Sequence, residues 1–196
     1  MLESIRILDG QADLLAYHQQ RLDRTRRAFW PKCPAIDLAR VVAEASPPAR
    51  GLFKLRVEYG ERVRKTELIP YQVLPVTSLR LLPADEIRYG SKFADRTAIR
   101  RCLERKGSCD DVLMSQRGYL TDTSYANVAL FDGRHWYTPA WPLLRGTRRE
   151  SLLEKGIIRA SIIRDRDLPQ FQKIRLINAM LPWEEGPTLD INAVMV

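Results

Sequence analysis

Four separated segments of the chain carry side chains whose types could do chemistry. They are LESIRILDG with HQQRL (residues 2–22), SKFADR (91–96), GYLTDTSYANVALFDG (118–133) and LRGTRRESLL (144–153). They contain the amine of Lys92, the carboxylate of Asp122 and the guanidinium of Arg21. A lysine amine can bond covalently to a carbonyl carbon, and a guanidinium can bind an anion through two parallel hydrogen bonds. For Lys92 or Arg21 alone, a solvated surface position is the ordinary interpretation, and for Asp122 alone a turn or cap position is. The segments must therefore be considered together.

The chain carries no competing catalytic signature. It has no GxSxG, HExxH or P-loop sequence, and its two histidines and three unclustered cysteines predict no metal site. A formal charge of +8 is compatible with nucleic-acid binding, but the arginines are scattered and often stand beside acids. No aromatic residues alternate with these arginines, as would be expected for a nucleic-acid-binding surface. We therefore expect small anionic partners and no nucleic acid.

The N-terminus and the cysteines indicate a cytoplasmic protein. The first six residues include an acid and a base where a signal peptide needs an apolar core. No apolar run approaches the ~20 residues of a membrane-spanning helix, so we expect no membrane association. The cysteines, Cys33, Cys102 and Cys109, show no CxxC spacing, which favours free thiols in a reducing compartment.

Alternation and helical periodicity predict the elements that must position these side chains. Residues 2–8 alternate like a strand, and Asp13 is a candidate N-cap for a helix that buries Leu15, His18, Leu22 and Phe29. The remaining predicted elements are helices at 36–45, 93–106 and 147–155, strands at 51–57, 64–69, 111–115, 119–121, 127–131 and 135–138, and a late strand at 174–177.

The order of these elements predicts an α+β protein of two small α/β domains. Strands and helices occur in both halves of the chain. Residues 73–84, which contain two prolines and no helical period, read as a connection. The predicted units are therefore an N-terminal α/β domain at 1–72 and a larger C-terminal domain at 85–196.

The four segments resemble, in order and spacing, the motifs of the class IV aminotransferase family. LESIRILDG…HQQRL is similar to the family pattern FETIRv.dG…H..RL, and SKFADR to K..NR. GYLTDTSYANVALFDG is similar to G.v.E…sN.f…dg, and LRGTRRESLL to LpGitR..ll. This family includes branched-chain and D-amino-acid aminotransferases and 4-amino-4-deoxychorismate lyase. The resemblance implies their fold, with pyridoxal 5′-phosphate in a cleft between two domains of a homodimeric enzyme.

The resemblance also implies a role for each matching residue. Lys92 corresponds to the lysine that forms the Schiff base with the cofactor and moves a proton at the substrate Cα. Asp122 stands where the family has a glutamate beside the pyridine nitrogen, so its shorter side chain is a departure. Arg21 corresponds to the phosphate-binding arginine. The remaining cofactor-binding positions implied are the donors at the start of the 147–155 helix and a loop-holding asparagine, namely Gly146, Thr147, Arg148 and Asn127. Tyr89, three residues before Lys92, is a further candidate for the cofactor or the substrate, with a core position as the alternative.

The resemblance leaves the reaction open. An aminotransferase would exchange an amino group between an amino acid and a 2-keto acid through Lys92. A lyase would instead eliminate pyruvate from aminodeoxychorismate, and a non-catalytic binding protein is the third alternative. Typical members are longer, and this chain starts almost directly at the FETIR-like strand. The resemblance therefore marks it as an N-terminally trimmed member.

Overall fold

The computed structural model describes residues 1–196 and divides into two compact units. The first unit is Met1–Val73 with Ser91–Ala94, and the second is Leu74–Gly90 with Asp95–Val196. Helices and sheets occur in both units, which confirms the predicted α+β class. No helix is both long enough and apolar enough to cross a membrane.

The first unit is an antiparallel sheet with two helices. The sheet order is β2-β1-β3-β4. Its elements are β1 (Leu2–Leu8), β2 (Gln11–Ala12), α1 (Leu15–Phe29), α2 (Leu38–Glu44), β3 (Leu52–Tyr59) and β4 (Val63–Pro70). Because side chains alternate across a strand, β1 sends Glu3, Ile5 and Ile7 to one face. Ile5 and Ile7 pack there with Leu22 of α1, so this face of β1 is the core of the unit.

The N-cap of helix α1 lies one residue later than predicted, and the helix buries a more polar face than predicted. Its N-cap is Leu14, in the left-handed conformation, and not Asp13. Phe29, which the periodicity assigns to the core, is about half exposed. Arg26 is buried instead, because its guanidinium donates to the carbonyl oxygens of Gly60 and Pro34. Paired arginines can thus occupy helix positions that sequence reasoning reserves for apolar side chains.

The second unit is built around a nine-stranded sheet. Its main path is β10-β9-β8-β7-β6-β5-β13, with β11 paired to β8 and β12 to β11. The strands are β5 (Leu79–Pro83), β6 (Asp111–Gln116), β7 (Tyr119–Thr123), β8 (Asn127–Phe131), β9 (Trp136–Pro139), β10 (Arg159–Ser161), β11 (Lys173–Ile177), β12 (Thr188–Asp190) and β13 (Val194–Met195). The helices are α3 (Thr97–Leu103) and α4 (Thr147–Glu154), with 3₁₀ turns at Asp165–Gln170 and Ile191–Ala193.

Two features of the second unit differ from the sequence prediction. Strand β5 lies inside the stretch 73–84 that reads as a connection, where it pairs in parallel with β6. Helix α3 begins at Thr97 and not at Phe93, because Asp95 accepts hydrogen bonds from the Thr97 N–H and hydroxyl and so turns the chain into the helix there. Lys92 therefore lies in a loop, five residues before the helix.

Candidate active site

A buried charged cluster lies between β1 and α1 in the first unit. Strand alternation directs Glu3 to the core face, and His18 and Arg21, three residues apart, share one face of α1. The Glu3 side chain is 0% exposed. Its Oε2 lies 2.6 Å from His18 Nδ1, its Oε1 accepts from Arg21 Nε at 2.9 Å, and Arg21 Nη2 also donates to Oε2.

The charges in this cluster are coupled. Burial alone would raise the pKa of Glu3, but the Arg21 charge and the contacts with His18 lower it to about 2. Burial lowers the pKa of His18 more than its hydrogen bond to Glu3 raises it, so His18 is neutral near pH 7. The neutral ring then donates Nδ1–H to an ionised Glu3, which forms an ion pair with Arg21.

Lys92 belongs to the same unit as this cluster. Its carbonyl oxygen accepts a 2.9 Å hydrogen bond from the Leu2 N–H, which ties the lysine loop to the residue before Glu3. The positive charges of Arg21 and Lys92 both contribute to lowering the His18 pKa. The structure thus brings together Lys92 and Arg21, two of the residues predicted from sequence.

In the second unit, Asp122 is held by a closed set of hydrogen bonds. Asp122 lies opposite Asn127 where β7 pairs with β8. Asn127 Nδ2 donates to Asp122 Oδ1 at 2.7 Å and to the Leu144 carbonyl at 2.8 Å. The Leu144 N–H donates to Asp122 Oδ2 at 2.9 Å. Asn127 therefore ties the carboxylate to the loop before α4, and its role at a cofactor stays a prediction.

The Asp122 carboxylate carries no hydrogen bond from a cationic side chain. Burial raises the pKa of Asp122 to about 7, against the opposing effects of Asn127, the Leu144 N–H and the charge of Arg149. Arg149 itself donates to the Pro139 carbonyl at 2.9 Å and contacts Glu150. A protonated ring nitrogen is a cationic N–H donor, so this carboxylate fits the pyridine nitrogen of pyridoxal phosphate.

Leu144, whose N–H binds Asp122, lies two residues before the N-cap of α4. Gly146 is the N-cap, and a Cβ built on it would overlap Oδ1 of Asn127. Glycine is therefore needed for the close approach of the two segments. Thr147 and Arg148, in the first turn, are buried. A helix N-terminus favours anions through its N–H groups and its dipole, so this turn fits a phosphate group.

Several residues at the site were missed or underweighted by sequence reasoning. Glu3 could have been predicted as a buried site residue. It shares a strand face with the apolar Ile5 and Ile7, and a buried acid needs a partner. The Leu144 N–H gives no signal in sequence, since every residue has one. Tyr89 is buried in the second unit, and its role at a cofactor stays a prediction.

Comparison with known proteins identifies the family. The family model for amino-transferase class IV matches residues 89–184. A solved structure from Haemophilus somnus 129pt, described provisionally as a 4-amino-4-deoxychorismate lyase, is 36% identical, with a TM-score of 0.87. The match covers 92% of this chain and 95% of that chain. The chain belongs to the class IV aminotransferase family, which confirms the resemblance and the fold class seen in the sequence.

Two further relatives bear on activity and cofactor. A Schizosaccharomyces pombe protein, also described provisionally as an aminodeoxychorismate lyase, is 25% identical over 88% of this chain and 83% of its own. A hypothetical aminotransferase from Mycobacterium tuberculosis, solved in a PLP-bound form, is 22% identical with a TM-score of 0.73, over 96% of this chain and 79% of its own. The family uses pyridoxal 5′-phosphate, which confirms the predicted cofactor.

Proposed function

We propose that this protein is a pyridoxal-phosphate-dependent enzyme whose cofactor aldehyde bonds to Lys92. Asp122 accepts the pyridine N–H, and Asn127 holds Asp122 in place. Arg21 and the first turn of α4, Gly146 to Arg148, bind the phosphate. Tyr89 is assigned to the cofactor ring. These roles follow the family motifs. They are supported by the hydrogen bonds between Asp122 and Asn127 and by the burial of Arg21, Thr147 and Arg148.

The observation that carries this proposal is the state of Asp122. A carboxylate only 6% exposed, with neutral donors at both oxygens and a pKa raised to about 7, is poorly neutralised by the protein. A cationic ligand that donates N–H to it would favour its ionised form. The pyridine nitrogen of the cofactor has that chemistry, and a carboxylate beside it keeps the nitrogen protonated.

The chain's own residues divide the remaining work. When bound, pyridoxal phosphate supplies an aldehyde for covalent attachment and a ring that withdraws electrons from the substrate Cα. The amine of Lys92 holds the aldehyde carbon before substrate arrives and then carries the proton at the substrate Cα. Glu3 and His18 orient Arg21, so its guanidinium is fixed before an anion binds.

The reaction favoured by the relatives is elimination of pyruvate from a substrate like 4-amino-4-deoxychorismate. Its support is the provisional lyase description of a protein 36% identical over 92% of this chain. Transamination, which the sequence places first, is the second candidate, supported by the family model over residues 89–184. The homodimer and the cytoplasmic location stay predictions.

Attachment at Lys92 can be tested with borohydride. The protein is incubated with pyridoxal phosphate, reduced and digested, and the modified lysine is located by mass spectrometry. We expect one reduced phosphopyridoxyl group on Lys92, lost in Lys92→Arg and retained in Lys155→Arg, which changes an exposed lysine. Absence of any modified lysine in the wild type would favour the non-catalytic binding protein.

The two reactions are separated by what happens to the cofactor. With 4-amino-4-deoxychorismate, a lyase releases pyruvate over many turnovers and leaves the cofactor in its aldehyde form. With an amino-acid donor, an aminotransferase converts the cofactor stoichiometrically to its amine form and releases a keto acid. Pyruvate release coupled to lactate dehydrogenase, and the cofactor absorbance, measure the two outcomes in parallel. Conversion by an amino acid without pyruvate release would establish transamination.

A further inference from the structure

Arg96, the last residue of the SKFADR segment, has no part in the site described above. It is the N-cap residue of α3, but its side chain makes no capping hydrogen bond to that helix. Its partly buried guanidinium instead donates through Nη2 to the backbone carbonyl of Ser124. The neighbouring Asp95 accepts from Thr97, and no ion pair involves Arg96. The chain therefore commits a cationic side chain to one backbone carbonyl.

That carbonyl belongs to the tight turn at residues 123–126, which joins β7 to β8. The Thr123 N–H donates to the Ala126 carbonyl at 2.8 Å, and the Thr123 hydroxyl accepts from the Ala126 N–H at 3.1 Å. The residues on either side of the turn are Asp122 and Asn127, which form the one pair in the register of β7 with β8. The direction of the Asp122 side chain therefore depends on how this turn is held.

The turn needs a partner for the carbonyl that Arg96 holds. Ser124 is buried, with 8% of its surface exposed. Buried backbone carbonyls are almost always paired, because an unpaired one has lost its hydrogen bond to water. Without the guanidinium, the 123–126 turn must either leave this carbonyl unpaired or move it toward solvent. Both outcomes displace the residues that flank the turn.

We infer that Arg96 is a positioning residue for the Asp122 carboxylate, an inference that rests on the proposed function. By holding the Ser124 carbonyl, Arg96 fixes the turn from which Asp122 and Asn127 extend. In that arrangement Asn127 Nδ2 donates to Asp122 Oδ1 at 2.7 Å, and the Leu144 N–H donates to Oδ2 at 2.9 Å. A ring nitrogen of the cofactor can bind the carboxylate only while this alignment is kept, since hydrogen bonds weaken steeply as they bend.

Arg96 acts on Asp122 through the backbone and not through its charge. Burial raises the pKa of Asp122, and the hydrogen bonds from Asn127 and Leu144 are the largest opposing effects. The arginine whose charge also lowers this pKa is Arg149. A change at Arg96 should therefore alter where the carboxylate lies, without removing a charge that neutralises it.

The test measures the preference for pyridoxal phosphate over its deaza analogue, in which a C–H group replaces the ring nitrogen. The ratio of the two dissociation constants reports the contact with Asp122, because the aldehyde and the phosphate are the same in both ligands. We expect a ratio of about tenfold or more in the wild type, and the loss of most of it in Arg96→Met. Arg96→Lys should restore part of it, since an ammonium group can donate to the same carbonyl. Arg101→Met, which changes an exposed arginine of the same helix, should keep the wild-type ratio.

A purely structural role for Arg96 gives a different result. Equal weakening of both ligands in Arg96→Met, with an unchanged ratio, would overturn the proposal. Thr123→Val removes the hydroxyl that binds the Ala126 N–H and so loosens the same turn from within. It should lower the ratio as Arg96→Met does, and an undiminished ratio would show that the turn does not control the carboxylate.

Urea unfolding of the cofactor-free chain from pH 4 to 8 examines Arg96 independently of the proposed function. The Asp122 carboxyl has a pKa raised by burial to about 7, so the free energy of unfolding falls as pH rises in this range. Arg96→Met should move that pKa back toward 3.8 and flatten the fall, and a wild-type profile would refute the positioning role. A wild type that does not prefer pyridoxal phosphate, or that borohydride fails to label at Lys92, refutes the proposed function instead, and the pH profile then still decides on Arg96.

Discussion

The Glu3 carboxylate binds the side-on edge of the Arg21 guanidinium, with Nε donating over 2.9 Å and Nη2 donating to the other carboxylate oxygen. This edge is the one that a guanidinium often offers to an anion. A phosphate at Arg21 must therefore approach the end-on edge, formed by Nη1 and the second hydrogen of Nη2. The same ion pair gives the protein a definite response to acid.

Glu3 should stabilise the fold at neutral pH and lose that effect in acid. Its pKa is about 2 in the folded chain and 4.5 as a reference, so the unfolded chain binds a proton first as pH falls. Stability is therefore lost between pH 4.5 and 2, by about 3 kcal/mol in full. Urea unfolding of wild type and Glu3→Gln across pH 2.5–6 measures this, and we expect a flatter profile for the variant. Glu44→Gln, at an exposed ion pair, should retain the wild-type slope.

Arg21 should discriminate between phosphorylated and unphosphorylated cofactor. Arg21→Lys retains a positive charge but cannot bind Glu3 and a phosphate through two separate edges. We expect the affinity for pyridoxal phosphate to fall about tenfold or more and the affinity for pyridoxal to change little. Fluorescence titration with the two ligands measures the ratio. A parallel loss for both would show that Arg21 only supports the fold.

Asp122 should make the cofactor-free protein less stable as pH rises. Its pKa is about 7 in the folded chain and 3.8 as a reference, so between these values the folded chain retains a proton that the unfolded chain has lost. The free energy of unfolding should fall by about 4 kcal/mol from this group across that window. The difference between wild type and Asp122→Asn, followed by urea unfolding from pH 4 to 8, isolates the effect. Bound pyridoxal phosphate should reduce the slope of the wild type, and equal slopes in all three samples would contradict the role given to Asp122.

The strands and the family motifs were accessible from sequence because their signals are local. Alternation at residues 2–8 and the turn dipeptide at Asp132-Gly133 predict β1 and the β8–β9 hairpin, which the structure contains. Likewise, the motif asparagine, Asn127, was expected to hold the cofactor loop. Its side chain donates to the Leu144 carbonyl, and its role beside a cofactor stays a prediction.

What sequence could not supply are partnerships between distant residues. Glu3 and Arg21 are 18 residues apart, and neither residue type predicts that their side chains meet under α1. The start of α3 was misplaced for a different, local reason. Asp95 accepts hydrogen bonds from Thr97, and these compete with the helical period that begins at Phe93. The burial of Arg6 also gives no signal in sequence, because a basic residue in an alternating strand normally indicates the solvent side.

Gly146→Ala should disrupt the link between Asp122 and the α4 turn. The added Cβ would overlap Oδ1 of Asn127, so Asn127 must move away from Asp122 or from the Leu144 carbonyl. We expect a loss of about 1–3 kcal/mol in the free energy of unfolding, as for other overpacked sites, with weaker binding of pyridoxal phosphate. Gly90→Ala is the control for stability, because nothing lies within 4 Å of a Cβ there.

The double variant Gly146→Ala with Asn127→Ser sharpens this test. Serine is too short to meet the new Cβ, so the steric part of the Gly146→Ala penalty should vanish in the Asn127→Ser background. A double-mutant cycle on the unfolding free energies should then give a coupling energy of about 1 kcal/mol or more, since the two residues are in contact. Additive effects would mean that the glycine is not required by Asn127. The presence of glycine at residue 146 would then be explained by its position at the start of α4 alone. Cofactor affinity would in that case depend on the α4 N–H groups and not on the Asn127 side chain.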